Sequence, residues 1–273
     1  MMLKKIRVLL GLLLLTASVA HAGPATKAET GHSVMAQAVE RGVLRVGMSS
    51  FVPWAMQDKT GAYIGFEVDV ATRLAKDFGL KLELVPTRWS GIIPALLTGK
   101  FDMIVGGLSI TPERCLKVNF SIPYDYTGIE AIAHKASAGK RSTLENFNEP
   151  GVVVAVRTGS TPVLVAKKMF PQATLRQFDD EAPAVQEVLS GRAQLFLTSV
   201  PLGTFEVLRS PDKVFRPTDT LLMPQPIAIA VRKGDYDSIN TLDSWIRTVE
   251  AEGWLKERKA YWFESRAWEA RLE

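Results

Sequence analysis

Apolar positions recur along this chain with two different periods, and the two periods take turns. Between residues 65 and 78 the apolar residues fall on one helix face, and Gly79 ends the run. Immediately afterwards, from Leu80 to Leu84, leucines alternate with charged residues, which is the period of a strand. Because helix and strand signals alternate in this way from about residue 43 to residue 231, the sequence predicts an α/β fold.

The alternation occurs twice, before and after a small polar stretch at 135–141. Strands predicted at 129–134 and 227–231 bracket the second unit, which favours an arrangement in which two strands cross between two lobes. We therefore expect two lobes with these ranges: a discontinuous lobe 1, residues 33–133 plus 229–273, and a lobe 2, residues 134–228. A ligand cleft is then expected between the lobes, since open α/β sheets bind ligands at the carboxyl ends of their strands.

The first 22 residues have the features of a secretory signal peptide in the usual order. Three basic residues precede an apolar run at 8–15, and the small-x-small pattern Ala20-His21-Ala22 follows. The run is far shorter than the roughly 20 residues that a membrane-spanning helix needs. We expect a cleavable signal peptide at 1–22, a mature chain that begins near Gly23, and a periplasmic location.

Removal of the predicted signal peptide changes the net charge of the protein. The whole chain carries 33 basic and 29 acidic residues, a net charge of +4. The predicted signal peptide holds three of the basic residues and no acidic ones, so the mature chain has 30 against 29, or +1. A nearly neutral protein lacks the basic surface that nucleic acids and anionic membranes attract. We therefore expect no nucleic-acid partner.

Cysteine and histidine are too sparse to suggest metal or triad chemistry. Cys115 is the only cysteine, so no intramolecular disulfide is possible. His32 and His134, which remain after the signal peptide, have no acidic or thiol partners at metal-ligand spacing. We expect no metal site and no cofactor.

Five segments stand in a recognisable order, and four of them lie between residues 93 and 124. They are Gly65–Asp69, Ile93–Leu96 with Gly99–Asp102, Gly107–Thr111, Glu113-Arg114 and Phe120–Tyr124. Their order and spacing resemble family 3 of the extracellular solute-binding proteins, which serve ABC transporters for polar amino acids. The resemblance implies a type II periplasmic-binding-protein-like fold, a two-lobe Venus flytrap with a two-strand hinge.

The resemblance also implies a ligand-binding wall in lobe 1. In this family, aromatic residues at the positions of Phe51 and Trp89 pack on the ligand side chain. Residues at the positions of Gly107, Ser109 and Arg114 hold the ligand carboxylate, and an arginine has the planar fork of donors that a carboxylate matches. From position alone, the alternatives are a surface ion pair for the arginine and an ordinary core role for the aromatic rings.

In lobe 2 the resemblance implies two further positions. The turn that contains Ser160 and Thr161 precedes a predicted helix, where free amides and hydroxyls attract an anion, although an ordinary helix cap is the alternative. Ser199 stands where the family usually carries an aspartate that pairs with the ligand's α-ammonium group. Since a buried ammonium without a carboxylate is costly, either the ligand lacks that group or another acid supplies the charge. The candidates for that acid are Asp125, Asp179, Asp180 and Glu181.

Some relatives on this fold are cyclohexadienyl dehydratases, and the second half of the chain is similar to theirs. Their general-acid glutamate corresponds to Leu202, which cannot transfer a proton. We therefore expect a non-enzyme without catalytic residues: the monomeric periplasmic component of an ABC transporter. It would capture an amino acid or related small carboxylate and dock on a permease in the inner membrane. The alternatives are a cyclohexadienyl or arogenate dehydratase-like enzyme and a ligand-sensing binding protein.

Overall fold

The computed structural model describes residues 33–272, so the predicted signal peptide at 1–22 lies outside the described residues. The strands are β1 (Val43–Met48), β2 (Met56–Gln57), β3 (Tyr63–Ile64), β4 (Lys81–Pro86), β5 (Met103–Ile104), β6 (Val118–Phe120), β7 (Asp125–His134), β8 (Val153–Arg157), β9 (Thr174–Phe178), β10 (Leu195–Ser199), β11 (Val214–Phe215), β12 (Leu222–Ile227) and β13 (Ala230–Arg232). The α-helices are α1 (Val34–Arg41), α2 (Phe66–Asp77), α3 (Ile92–Leu97), α4 (Pro112–Cys115), α5 (Lys135–Ala138), α6 (Pro162–Met169), α7 (Glu181–Leu189), α8 (Leu202–Arg209), α9 (Tyr236–Ala251) and α10 (Trp254–Lys259).

Two sheets carry the architecture, and each belongs to one lobe. The first has the order β4-β1-β5-β13-β6, with β1 parallel to both β4 and β5. The second has the order β11-β7-β10-β8-β9, with β8 parallel to β9 and β10, and β12 pairs with β7. The parallel strands explain the alternation of the sequence, because each needs a crossover helix before its neighbour. The predicted two-lobe α/β fold is confirmed.

The chain passes between the sheets twice, from β6 into β7 and from β12 back into β13. These crossings run side by side: the amide of Ser121 donates to the carbonyl of Ile229 at 2.9 Å, and the amide of Tyr124 to that of Ile227 at 3.1 Å. The two-strand hinge is therefore present. Strand β7 pairs within the second sheet from Asp125 onward, so by sheet membership the first crossing precedes the boundary predicted at 133. The residue limits of the two lobes otherwise stay a prediction.

Local chemistry sets the start of the helix that supports the first lobe's ligand wall. Gly65 precedes α2 with a φ of 137°, and a Cβ there would lie 2.3 Å from the carbonyl oxygen of Trp54. Only glycine fits such a close approach at positive φ. Apolar residues of α2 then face the core, and Phe66, Val70, Ala71 and Leu74 are fully buried. Within residues 33–272, no helix is long and apolar enough to cross a membrane.

Candidate ligand-binding site

The carboxyl ends of strands from both sheets face each other across a small cavity of about 20 Å³. All eight residues that the sequence singled out lie around it, together with four that it did not. The lining residues are Phe51, Trp54, Trp89, Gly106, Gly107, Ser109, Arg114, Thr127, Arg157, Ser160, Thr161 and Ser199. The structure therefore brings the predicted residues into one place, while their contact with a ligand stays a prediction.

Aromatic rings form the lobe 1 wall. Phe51 and Trp54 follow β1 and stack with their planes 4° apart at a centroid distance of 6.1 Å. Trp89 follows β4 and is also buried. Gly107 has a φ of 67°, and a Cβ at this position would lie 3.0 Å from the ring of Trp54. The glycine thus leaves its backbone open to the cavity where any other residue would press on the indole.

Arg114 projects from the short helix α4, whose start is well specified. Thr111 caps it by accepting the backbone N–H of Arg114 at 3.3 Å. The guanidinium donates to the carbonyl of Ser109 at 2.8 Å and, across the cleft, to the carbonyl of Gly159 at 3.1 Å. Burial lowers the pKa of Arg114 to about 10, which still leaves it charged at neutral pH. The alternative of a surface ion pair between Arg114 and Glu113 does not hold, because Glu113 pairs with Lys117 instead.

Hydroxyl groups and a second arginine form the lobe 2 wall. The hydroxyl of Ser160 donates to the carbonyl of Arg157 at 2.6 Å and so holds the turn before α6. Thr161 lines the cavity, precedes α6 and makes no capping bond with its side chain. Ser199 ends β10. Anions bind readily to such a helix start.

Sequence reasoning missed Arg157, which ends β8 directly before that turn. Its side chain is only 4% exposed, and its guanidinium carbon lies 5.0 Å from the ring centre of Phe51 and 4.6 Å from that of Trp89. Burial lowers its pKa, against the opposing effects of Glu181 and Asp180. A basic residue at the carboxyl end of a predicted strand, next to a Gly-Ser-Thr turn, was the signal that could have found it.

Direct contacts join the two walls. The indole N–H of Trp54 donates to the carbonyl of Val200 at 3.0 Å, and that of Trp89 to the carbonyl of Gly159 at 3.2 Å. A volume of about 20 Å³ has room for a water molecule and not for an amino acid. A ligand as large as an amino acid therefore requires the lobes to part or the wall side chains to move. A wider cavity of about 560 Å³ adjoins Trp89, Arg114 and Thr161 and opens a path to them.

The acids considered as partners for a ligand ammonium lie elsewhere. Asp125 pairs with Lys259, Asp179 is exposed beside Arg88, Asp180 is exposed, and Glu181 is buried behind Arg157. Among the described residues, no carboxylate lines the 20 Å³ cavity. Leu202, at the position of the dehydratase acid, begins α8 and is buried.

Comparisons with known proteins agree with this geometry. The family model of the bacterial extracellular solute-binding proteins, family 3, matches residues 44–265. The chain is 27% identical to the L-cystine-binding protein of Escherichia coli (strain K12), over 89% of this chain and 90% of that protein. It is 29% identical to the cyclohexadienyl dehydratase of Pseudomonas aeruginosa (strain PAO1), over 84% of this chain and 85% of that protein.

A solved structure extends the likeness to the whole fold. It is the putative binding component of an ABC transporter from Wolinella succinogenes DSM 1740 complexed with lysine, and it shares 36% identity with this chain. The superposition covers 84% of this chain and 99% of that one, with a TM-score of 0.79. With a two-lobe fold, a cleft between the lobes and a family model that spans residues 44–265, the chain belongs to family 3 of the bacterial extracellular solute-binding proteins.

Proposed function

We propose that this protein is the periplasmic substrate-binding component of an ABC transporter and captures an amino acid or a related small carboxylate between its lobes. The observation that carries the proposal is Arg114, a half-buried guanidinium that already spans the cleft from Ser109 to Gly159. Its acceptors are backbone carbonyls, so a ligand carboxylate can offer it a stronger, charge-assisted bond. The hydroxyl of Thr161, which makes no capping bond, supports the same carboxylate from lobe 2.

A ligand held in this way touches both lobes at once. Its contacts with the second lobe exist only when the cleft is shut, so binding shifts an open–closed equilibrium toward the closed form. The closed monomer would then dock on a permease in the inner membrane. The aromatic wall of Phe51 and Trp89 contributes apolar contact area to the rest of the ligand.

The test is calorimetry of wild type and Arg114→Ala with amino acids and their deaminated or N-substituted analogues. We expect Arg114→Ala to weaken binding by about a hundredfold, because the ligand carboxylate loses its cationic partner. Arg73→Ala is the matched control, since Arg73 pairs with Asp77 and Glu252 outside the cavity lining. Equal affinity of wild type and Arg114→Ala would remove the carboxylate assignment, and a wild type that binds no carboxylate would remove the function.

The dehydratase relative supports a second candidate, an enzyme on the same fold that acts on prephenate or arogenate. Two observations support the binding function over the enzyme. Leu202 is buried at the position that the resemblance assigns to the proton donor, and no carboxylate of the described residues lines the cavity. Incubation with prephenate and with arogenate, followed by absorbance of an aromatic product, separates the two. Turnover that scales with protein concentration would establish the enzyme.

A further inference from the structure

Arg157 is buried in the cleft with few good partners of its own. Its Nη1 donates to the carbonyl of Ser50 at a long 3.4 Å, and its Nε lies 3.5 Å from Oε1 of Glu181. Within the described residues, that Nε has no hydrogen bond although it is buried. Buried donors are normally satisfied, and an unsatisfied one is costly. The protein's own contacts therefore use only part of the donor capacity of this guanidinium.

The stacking of Arg157 decides which part of it is available. Its guanidinium lies over the rings of Phe51 and Trp89, and both rings belong to the opposite lobe. Stacking uses the faces of a guanidinium, while its N–H donors point outward from the edge. The two rings are thus already in contact with a positive group. A cationic ligand side chain would have to displace that group and would meet two like charges.

The charge of the cavity points in the same direction. Arg114 and Arg157 are the charged residues in its lining, and they lie close enough that Arg157 lowers the pKa of Arg114. Glu181 stands behind Arg157 and offsets one positive charge. Arg114 therefore has no balancing carboxylate among the described residues of the cavity lining, and Arg157 lies 3.5 Å from its carboxylate partner Glu181. Anionic groups between the two arginines would relieve their repulsion and supply the missing acceptors.

We infer that the cleft selects small dicarboxylates, with Arg114 binding one carboxylate and Arg157 the second. The inference rests on the proposed function, because it assigns a substrate class to the same cleft. The cavity lining has Ser199 and, among residues 33–272, no carboxylate. The ligand therefore does not need an ammonium group. The class therefore includes acidic amino acids as well as their oxo or deaminated relatives, and it disfavours ligands with a cationic side chain.

The experiment is calorimetry of the full mature protein with matched probes. Succinate, glutarate, 2-oxoglutarate and L-glutamate are compared with butyrate, L-glutamine and L-lysine. L-glutamate and L-glutamine have the same skeleton and differ by one negative charge. We expect the tightest dicarboxylate to bind about tenfold to a hundredfold better than its monocarboxylate counterpart, because a charged hydrogen bond is gained.

Variants locate the second carboxylate. Arg157→Gln keeps polar contacts without the charge, and we expect the preference for dicarboxylates to vanish, while Arg157→Lys retains part of it. Arg176→Gln is the control. Arg176 lies on the outer strand β9 of the same lobe and pairs with Glu187 of α7. The melting temperature and circular dichroism spectrum of each variant report on folding. The wild-type comparison of dicarboxylates with their counterparts decides the inference even if Arg157→Gln does not fold.

The outcomes also separate this inference from the proposed function. If wild type binds L-glutamine or L-lysine more tightly than every dicarboxylate, and Arg114→Ala abolishes that binding, the substrate class is wrong and the function stands. A preference for dicarboxylates that persists in Arg157→Gln overturns the role of Arg157. A wild type that binds no carboxylate of either panel overturns both.

Discussion

A buried glutamate lies behind each wall of the cleft, Glu67 in lobe 1 and Glu181 in lobe 2, and the two have different partners. Behind the lobe 1 wall, Glu67 of α2 is 1% exposed and accepts the hydroxyl of Tyr124 at 2.6 Å. Burial raises the pKa of Glu67 to about 8, although Tyr124 and the amide of Gly107 oppose the rise. Behind the lobe 2 wall, Glu181 of α7 is 6% exposed and faces Arg157. Burial raises its pKa too, and here a cation opposes the rise.

The different partners give the two glutamates different roles, one in packing and one in balancing charge. A glutamate with a pKa of about 8 is mostly protonated at neutral pH, so Glu67 and Tyr124 form a nearly neutral pair that braces α2 against the hinge. Glu181 instead balances part of the charge of Arg157, which lines the cavity. The carboxyl behind the lobe 1 wall is thus close to neutral, whereas the carboxyl behind the lobe 2 wall offsets part of the charge of Arg157. If the cleft binds a dicarboxylate as inferred above, Arg114 anchors it from lobe 1 and Arg157 discriminates between ligands from lobe 2.

The largest effect on stability is expected at the ion pair of lobe 2. Glu181→Gln leaves Arg157 buried without a carboxylate, and we expect the free energy of unfolding to fall by about 3 kcal/mol. Because a buried ion pair contributes little net stability, the double variant Glu181→Gln with Arg157→Met should regain most of that loss. Urea denaturation of the four proteins of the cycle measures both values. Additive losses in the double variant would show that the two residues do not form a pair.

The pH dependence of stability tests the lobe 1 carboxyl. The pKa of Glu67 rises from 4.5 to about 8 on folding, so the folded state binds more protons between these values. The contribution of Glu67 is therefore most favourable below pH 4.5 and decreases as the pH rises toward 8, by about 1.4 kcal/mol per pH unit at most. Glu67→Gln removes this contribution while its amide oxygen can still accept from Tyr124. Unfolding free energies of both proteins from pH 4.5 to 9 should converge at low pH and diverge in favour of Glu67→Gln at high pH, and parallel curves would contradict the assignment.

The smallest effects are expected for the contacts that join the walls. Trp54→Phe keeps the stacked ring but removes the hydrogen bond to Val200, and we expect the tightest carboxylate ligand to lose about 1 kcal/mol of binding free energy. The matched comparison is Arg88→Gln, which removes the exposed ion pair with Asp179 across the same cleft. Exposed pairs contribute about 0–1 kcal/mol and are screened by salt. Calorimetry at low and high salt should show a salt-dependent effect only for Arg88, and an equally salt-dependent loss in Trp54→Phe would mean that the indole contact is not the cause.

Much of the site could be predicted because its parts are local. The turn before α6, the cap of α4 and the glycines before Ser109 are each specified by a few neighbouring residues. Parallel strands bring their carboxyl ends to one edge, so motifs that follow different strands converge there. For this reason the sequence alone is enough to expect Phe51, Trp89 and Arg114 in one cleft.

The residues that were missed have partners far away in the sequence. Arg157 lies 107 positions from Ser50, and Trp54 lies 146 positions from Val200. No periodicity or short motif encodes such contacts. The residue at which the chain leaves the first lobe is hard to predict for a related reason, since β7 continues without interruption from the hinge into the second sheet. A continuous strand carries no local signal of the point at which it leaves one lobe for the other.

The sequence by itself determined the α/β alternation, because periodicity and turns specify it locally, and its resemblance to the family predicted the hinge of two strands and a carboxylate clamp of Ser109, Arg114 and Thr161. Only the tertiary structure decided the electrostatic character of the cleft. It buried Arg157 against two aromatic rings, set Glu181 behind it and left Glu67 with a phenol as its partner. Burial and charge partners determine the state of an ionisable group, and both depend on segments that only folding brings together.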